Sequence, residues 1–354
     1  MSRLTTDRVR AGARDLAPVY FALVMATGTI SIALYEIGRA RLSSALLIVD
    51  VLAYATLVVL TAWRAARYPS RIAADARNPA RAFGFFTIVA GSNVLASRLA
   101  IGGEEVAAYI LLGVGATTWL VLGYVLPWLA LVRRPGGPAA SALERADGSW
   151  FVWAVASQSV AVAAATLQPD AAAGRALALL AFVAWAIGCF LYAAAVVLVG
   201  LRVVLYELTP AGFSPAYWVA MGAASITVLA GVRVAEMQGA TVVAVMHDLT
   251  MGAAVMFWAF ASWLFPVLVA AGWWRHVVHR VPATYEPALW CMVFPLGMYA
   301  LASMALGKAD GLSWITTVGE VELWLALGVW AVTFAAMGRH FYVRLGGIGV
   351  GPVD

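Results

Sequence analysis

Apolar residues along the chain gather into ten runs, roughly 17–37, 42–63, 82–101, 106–131, 149–168, 174–201, 215–236, 249–272, 287–306 and 317–338. A helix rises ~1.5 Å per residue, so about 20 apolar residues cross the hydrocarbon core of a bilayer. Each run meets that length, and the polar separators are short. Consecutive runs are therefore expected to pack as antiparallel hairpins, giving an all-α integral membrane protein of ten transmembrane helices. The expected organisation is an N-terminal segment 1–16, a transmembrane domain 17–338 and a tail 339–354.

A repeat runs through the odd-numbered spans. Each opens with one or two aromatics: Tyr20-Phe21, Phe85-Phe86, Trp150-Phe151, Tyr217-Trp218 and Trp290, at spacings of 65, 65, 67 and 73 residues. That interval is about one hairpin with its loops, so five hairpins are expected in a ring with the odd spans inside. Seven residues after the first aromatic stand Thr27, Ser92, Ser157, Ala224 and Gly297, and at eight Gly28, Asn93, Gln158, Ser225 and Met298. These small or uncharged polar residues lie at one depth, ~10 Å inside the aromatic level, and are the candidate pore lining. The competing reading is that they let helices pack closely, as small-xxx-small interfaces do. At four residues stand Val24, Val89, Ala154, Met221 and Phe294, a layer suited to narrowing a pore. The opening aromatics, taken singly, read as membrane-interface anchors.

Composition agrees with the pattern. The 354 residues are 63% hydrophobic and 12% charged, with mean hydropathy +0.87, well outside the soluble range. Seventeen of the 23 Lys and Arg fall on one side of the ten spans, in the N-terminus, the even-to-odd loops and the tail. Arg39, Arg41, Arg98, Arg175, Arg233 and Lys308 fall on the other. The positive-inside rule then expects both termini in the cytoplasm, in a bacterial inner membrane, which an even span count allows. No isolated short apolar segment with a cleavage site precedes the first span, so no removable signal peptide is expected. Cys189 and Cys291 both lie in apolar runs and form no disulfide framework.

The most unusual stretch is Trp290-Cys-Met-Val-Phe294-Pro295-Leu-Gly297. Pro295 lacks an N–H and crowds the carbonyl of Cys291, so a kink is expected beside the bulky ring of Phe294. Phe294 and Pro295 are the candidate gate. Asp50 and Arg98 stand inside spans at similar depth, which leaves two readings: a structural ion pair, or an arginine drawing anions to the outer mouth. Arg233 and Glu236 are spaced to pair locally, and Glu320 and Glu322 mark a helix start. No carboxylate or histidine falls in the small-polar layer, which argues against acidic-ring cation channels. His276 and His279 lack further ligands and are flanked by Arg275 and Arg280, so no metal and no cofactor are expected. His247-Asp248 likewise stands alone. The glycine-rich tail Gly346-Gly347-Ile-Gly349-Val-Gly351 has neither strand before it nor helix after it, unlike a nucleotide loop. No nucleophile–base constellation, P-loop or nucleic-acid motif is present, so neither catalysis nor ATP-driven transport is expected.

Three stretches resemble the tellurite-resistance/dicarboxylate transporter family, which includes the TehA-like bacterial proteins, fungal sulfite and malate carriers and plant guard-cell slow anion channels. They are Pro18-Val-Tyr20-Phe21-Ala-Leu-Val-Met-Ala-Thr27-Gly28, Tyr217-Trp218-Val-Ala-Met-Gly222-Ala and Trp290 through Phe294-Pro295-Leu. The resemblance implies a quasi-fivefold ring of hairpins around a pore, a homotrimer, a gating phenylalanine at Phe294, and movement of small inorganic or organic anions. Family members carry several mid-helix prolines in the inner helices. Here Pro295 alone is mid-span, with glycines at 28, 91 and 222 available to bend the others. The expectations left open are an anion channel, a proton-coupled carrier of C4-dicarboxylates, sulfite or tellurite-like oxyanions, and a non-conducting membrane subunit or sensor.

Overall fold

A computed structural model describes residues 12–132, 143–168, 174–237 and 241–346. The basic residues Arg3, Arg8, Arg10, Arg133 and Arg134 and the tail glycines from Gly347 lie outside the described residues, so most of the N-terminal segment and part of the tail go undescribed. Among the described residues ten helices are long and apolar enough to cross a bilayer: α1 (Pro18–Glu36), α2 (Ala40–Arg67), α3 (Pro79–Ile101), α4 (Glu105–Ala130), α5 (Gly148–Leu167), α6 (Gly174–Leu205), α7 (Pro215–Ala235), α8 (Val245–Val278), α9 (Pro287–Ala309) and α10 (Ser313–Arg344). Their limits fall within a few residues of the apolar runs. Among the described residues there is no strand.

Burial sorts the helices into two layers. The odd-numbered spans are 78–89% buried and the even-numbered ones 17–33%. Each odd helix packs against the next, α1 on α3, α3 on α5, α5 on α7, α7 on α9 and α9 back on α1, closing a five-membered inner ring. Each even helix lies behind its own hairpin partner. Its outer face is apolar and open, as at Phe190 (79% exposed) and Val204 (80% exposed), the surface that acyl chains cover.

Every inner helix has a short 3₁₀ turn at or near its start: Pro18–Phe21, Phe83–Phe85 (after an α-turn at Pro79–Ala82), Gly148–Trp150, Pro215–Trp218 and Pro287–Leu289. Three begin on proline, whose missing N–H costs nothing at a helix start. At Gly148 the turn is capped instead by Asp147, which accepts from the Ser149 N–H at 2.9 Å. Burial pushes the Asp147 carboxyl above its ordinary pKa. The five turns touch one another in ring order, so the inner ring is closed at its basic end as well as at mid-depth. The opening aromatics lie in these turns or directly after them, and most of them are buried instead of anchoring at the membrane surface. Phe83 packs at a tilt against Trp150 at 4.9 Å, Phe213 stacks on Tyr217 at 4.8 Å, and the Trp150 indole donates to the Pro79 carbonyl at 3.2 Å.

At the opposite end three hairpin turns are built alike. Gly38, Gly103 and Gly311 have φ of +74°, +86° and +66°, and the following residue's N–H reaches back five residues (Arg39 to Leu34, Glu104 to Leu99, Leu312 to Gly307). This is the Schellman close of a helix, and it needs glycine at the left-handed position.

The inner helices are sealed to the outer ones by a recurring contact. The Gln158 amide of α5 donates to the Trp185 carbonyl of α6 at 3.2 Å, and a methyl placed at Gly188 would lie 2.5 Å from its nitrogen. Asn93 of α3 fills the space over Gly115 of α4 in the same way. In the first hairpin the roles reverse, with Asp50 of α2 lodged over Gly28 of α1. Ser157 adds a bond to the Ala184 carbonyl at 2.9 Å, Ser92 shares one with the Tyr54 hydroxyl at 2.9 Å, and Thr27 accepts from the Trp330 indole of α10 at 2.9 Å.

If Gln158 and Gly188 form one notch, Gln158→Ala and Gly188→Ala should each lower unfolding stability in detergent, by about 1–3 kcal/mol. The double variant should lose less than the sum, with a coupling of about 0.5–3 kcal/mol. Gly200→Ala on α6, where a methyl meets nothing within 4 Å, should change stability by less than about 0.5 kcal/mol. Strict additivity at 158 and 188 would rule the notch out.

Candidate functional site

The contacts of α9 fix which way its residues face. A methyl at Gly222 of α7 would lie 2.8 Å from the Pro295 ring, so α7 flanks α9 on the Pro295 side. One at Gly297 would lie 2.9 Å from Ile30, so α1 flanks the opposite side. Behind, the Tyr299 hydroxyl meets Ser262 of α8 at 2.7 Å and the Ala300 carbonyl lies against Gly319 of α10. With ~100° between successive residues, the sector left between the two flanks holds Phe294, Met298 and Leu301. All three are buried, Phe294 at 1% exposure.

The same construction on α1 places Thr27 toward α10, Gly28 and Ser31 toward α2, and Ile30 toward α9. Thr29 is left in the remaining sector. It is fully buried, its Oγ1 has no hydrogen-bond partner, and its methyl lies 3.6 Å from where a Cβ at Gly297 would stand. Thr29 sits outside the repeat read from the sequence, at nine residues after Tyr20, and no spacing signal marks it.

The expected pore-lining set divides differently from expectation. Thr27, Gly28, Ser92, Asn93, Ser157 and Gln158 turn toward outer helices, where Thr27, Ser92, Ser157 and Gln158 Nε2 find hydrogen bonds; Asn93 Nδ2 donates to Ser159 of α5 at 3.1 Å, and the buried Asn93 Oδ1 and Gln158 Oε1 have no hydrogen-bond partner. Ser225 bonds the Met221 carbonyl of its own helix at 2.8 Å, Ala224 is buried beside it, and Gly297 marks the α9–α1 approach. The close-packing reading of the repeat accounts for most of these contacts. Val24, from the narrowing layer, packs with Leu57 of α2.

Among the described residues charge is kept toward the two ends except at Asp50 of α2, Arg98 of α3 and Glu322 of α10. Asp50 and Arg98 do not pair. Arg98 Nε donates to Ser31 Oγ at 3.0 Å and to Ser43 Oγ at 3.2 Å, Nη2 to Ser43 Oγ at 2.9 Å, and the guanidinium lies 4.8 Å over the Tyr35 ring. Asp50 is two turns further along α2 than Ser43, ~10 Å away, which is why similar estimated depths gave no contact. Among the described residues Arg98 has no carboxylate at ion-pair distance, yet is only 3% exposed. At the end opposite the termini Glu36 of α1 binds Arg233 of α7 at 3.1 Å and Lys308 of α9 at 3.0 Å, and Arg233 also meets Glu236 at 3.2 Å. Three inner helices are thus clamped together there. At the basic end Asp75 is buried between Arg64 at 2.6 Å and Arg81 at 3.1 Å.

The histidines hold backbone, not each other. His276 Nδ1 lies 2.8 Å from the Val281 carbonyl and His279 Nδ1 3.1 Å from that of Trp274, while His247 contacts Asp248 at 3.2 Å. Among the described residues no group of three His, Cys, Asp or Glu is placed to hold a metal.

Comparison with known proteins fits this architecture. An uncharacterised membrane protein of Mycobacterium tuberculosis (strain H37Rv) is 52% identical over 157 residues, 44% of this chain and 80% of its own length. Two uncharacterised transporters of Methanocaldococcus jannaschii are 22% identical over 337 residues (93% of this chain, 94% of theirs) and 20% over 322 residues (89% and 91%). The family described as voltage-dependent anion channel (SLAC1) matches residues 15–337. The chain is a multi-pass membrane protein that belongs to the SLAC1 family of anion transport proteins.

Proposed function

We propose that the chain carries small anions through the middle of its inner ring, and that Phe294 closes the path at rest. The observation that carries this reading is the orientation of Phe294. It stands between the α7 and α1 contacts of α9 and opposite the outer helices, beside the one mid-span proline of the inner ring. Pro295 leaves the Cys291 carbonyl without its usual partner, so the helix can swing the ring there at lower cost than in an unbroken helix.

The electrostatics support an anion over a cation. The ring sector facing inward has apolar side chains and the Thr29 hydroxyl, with no carboxylate among the residues identified there. Arg98, near the outer end of α3, has no acidic partner and donors to spare, and a buried unpaired cation lowers the cost of an approaching anion. A hydroxyl and distant positive charge hold an ion weakly, which conduction requires. Both termini in the cytoplasm and a homotrimer complete the proposal, on the charge bias of the loops and the family resemblance.

Ionic current through purified protein in planar bilayers under a chloride gradient tests the gate. Phe294→Ala should raise current about tenfold or more, the factor given by ~1.4 kcal/mol off a barrier, and the current should reverse near the chloride potential. A packing residue would instead lose about 3–5 kcal/mol of stability with no gain of current. Silence from a folded Phe294→Ala variant would remove Phe294 as the gate and favour a coupled carrier or a non-conducting subunit. Arg98→Gln in the Phe294→Ala background should reduce chloride current, most at low salt, where screening is weakest. An unchanged current would detach Arg98 from the path.

A further inference from the structure

Asp50 has no part in the gate or the outer clamp, and its surroundings are unusual. It lies ten residues into α2, ~15 Å from the outer end, and is 0% exposed. Neither carboxyl oxygen has a hydrogen-bond partner. It fills the notch over Gly28, where an added methyl would lie 2.7 Å from Oδ2 and 2.7 Å from the Val94 side chain of α3.

The charged and titratable groups of the elements around it are engaged elsewhere. On α1, Glu36 binds Arg233 and Lys308, and Tyr35 lies under Arg98. On α3, Arg98 bonds Ser31 and Ser43, and Arg81 pairs with Asp75. On α2 itself, Tyr54 bonds Ser92, Arg64 pairs with Asp75, and Arg41 and Arg67 stand at the two ends. Asp75 shows how this chain buries an ionised carboxylate, between two arginines. Asp50 has no such partner. An unpaired buried carboxylate is so costly that the group takes up a proton instead.

We propose that Asp50 is a proton-binding site: the resting protein holds it as the neutral acid in the Gly28 notch, and it releases the proton to water only when α1 and α2 part. Because the closed hairpin binds the proton more tightly than the opened one, low pH favours the closed form and rising pH favours the opened form. The consequence for transport rests on the reading above, since α1 presents Thr29 to the inner sector and Gly28 to Asp50 on successive residues.

Infrared spectra of the protein in lipid at neutral pH test the site without any transport. The native chain should show the high-frequency carbonyl stretch of a carboxylic acid lacking a hydrogen-bond partner, absent from Asp50→Asn and kept in Glu322→Gln. Gly28→Ala should shift the band, since the new methyl presses on Oδ2, and it serves if the Asn variant does not fold. No band in the native protein, or its loss in Glu322→Gln instead, would overturn the proposal. For the coupling, anion flux into liposomes should rise from acid to alkaline pH in the native chain and stay low and flat in Asp50→Asn. Identical pH profiles would overturn the coupling to α1 even with the band present. Flux absent from every variant would count against the transport reading, and the infrared result would still decide whether Asp50 holds a proton.

Discussion

Helices in lipid gain nothing by hiding apolar surface from one another, because acyl chains are as apolar as leucine. What holds them together is close approach of backbones and the hydrogen bonds that approach allows. The ten helices of this chain are arranged around that constraint. Gly222 admits Pro295, Gly297 admits Ile30, Gly188 admits Gln158 and Gly28 admits Asp50. Each contact is a side chain seated where a Cβ has been removed. Closing five helices into a ring multiplies the demand, since every inner helix must meet two inner neighbours as well as outer ones. This explains why the α1, α3, α5 and α7 sequences are rich in small residues at mid-depth while the outer helices carry the bulky apolar surface.

The same constraint decides what the sequence made legible. Ten spans, their hairpin pairing and the alternation of inner and outer helices were readable, because length and apolarity are local properties and recurrence at about 65 residues survives any detail of packing. The direction in which the repeated residues face was not. Counting from the opening aromatics brings corresponding residues of the inner helices to one face, but it does not say whether that face meets the ring centre or the outer helix behind. Thr27, Ser92, Ser157 and Gln158 turn to outer helices, while Thr29, one or two residues further on, carries no spacing signal.

Charge shows a similar limit. Depth along α2 and α3 allows an Asp50–Arg98 pair, but the sequence carries no sign that Ser31 and Ser43 would intervene. Those serines lie twelve residues apart across the Gly38 turn and bond each other as well as Arg98, Ser43 Oγ donating to the Ser31 carbonyl at 2.7 Å. The pairing of Glu36 with Arg233 and Lys308 spans 197 and 272 residues of chain, and only ring closure makes it. Interactions within one hairpin were partly visible; those that close the ring were not.

These placements bear on how a ring so tightly packed admits an ion at all. The residues identified in the inner sector are apolar save for Thr29, and positive charge stands at or near the end opposite the termini, where Arg98 is buried and Arg233 and Lys308 are partly neutralised by Glu36. An apolar constriction excludes both ion signs by dehydration, so selectivity must come from the approach to it. There the buried Arg98 has no carboxylate at ion-pair distance among the described residues, and along the proposed path its field would favour anions. A ring of carboxylates would have reversed that preference, and the two intramembrane acids, Asp50 and Glu322, belong to outer helices. The outer layer can therefore bury acidic groups that the inner layer could not carry without repelling the anions it is proposed to pass.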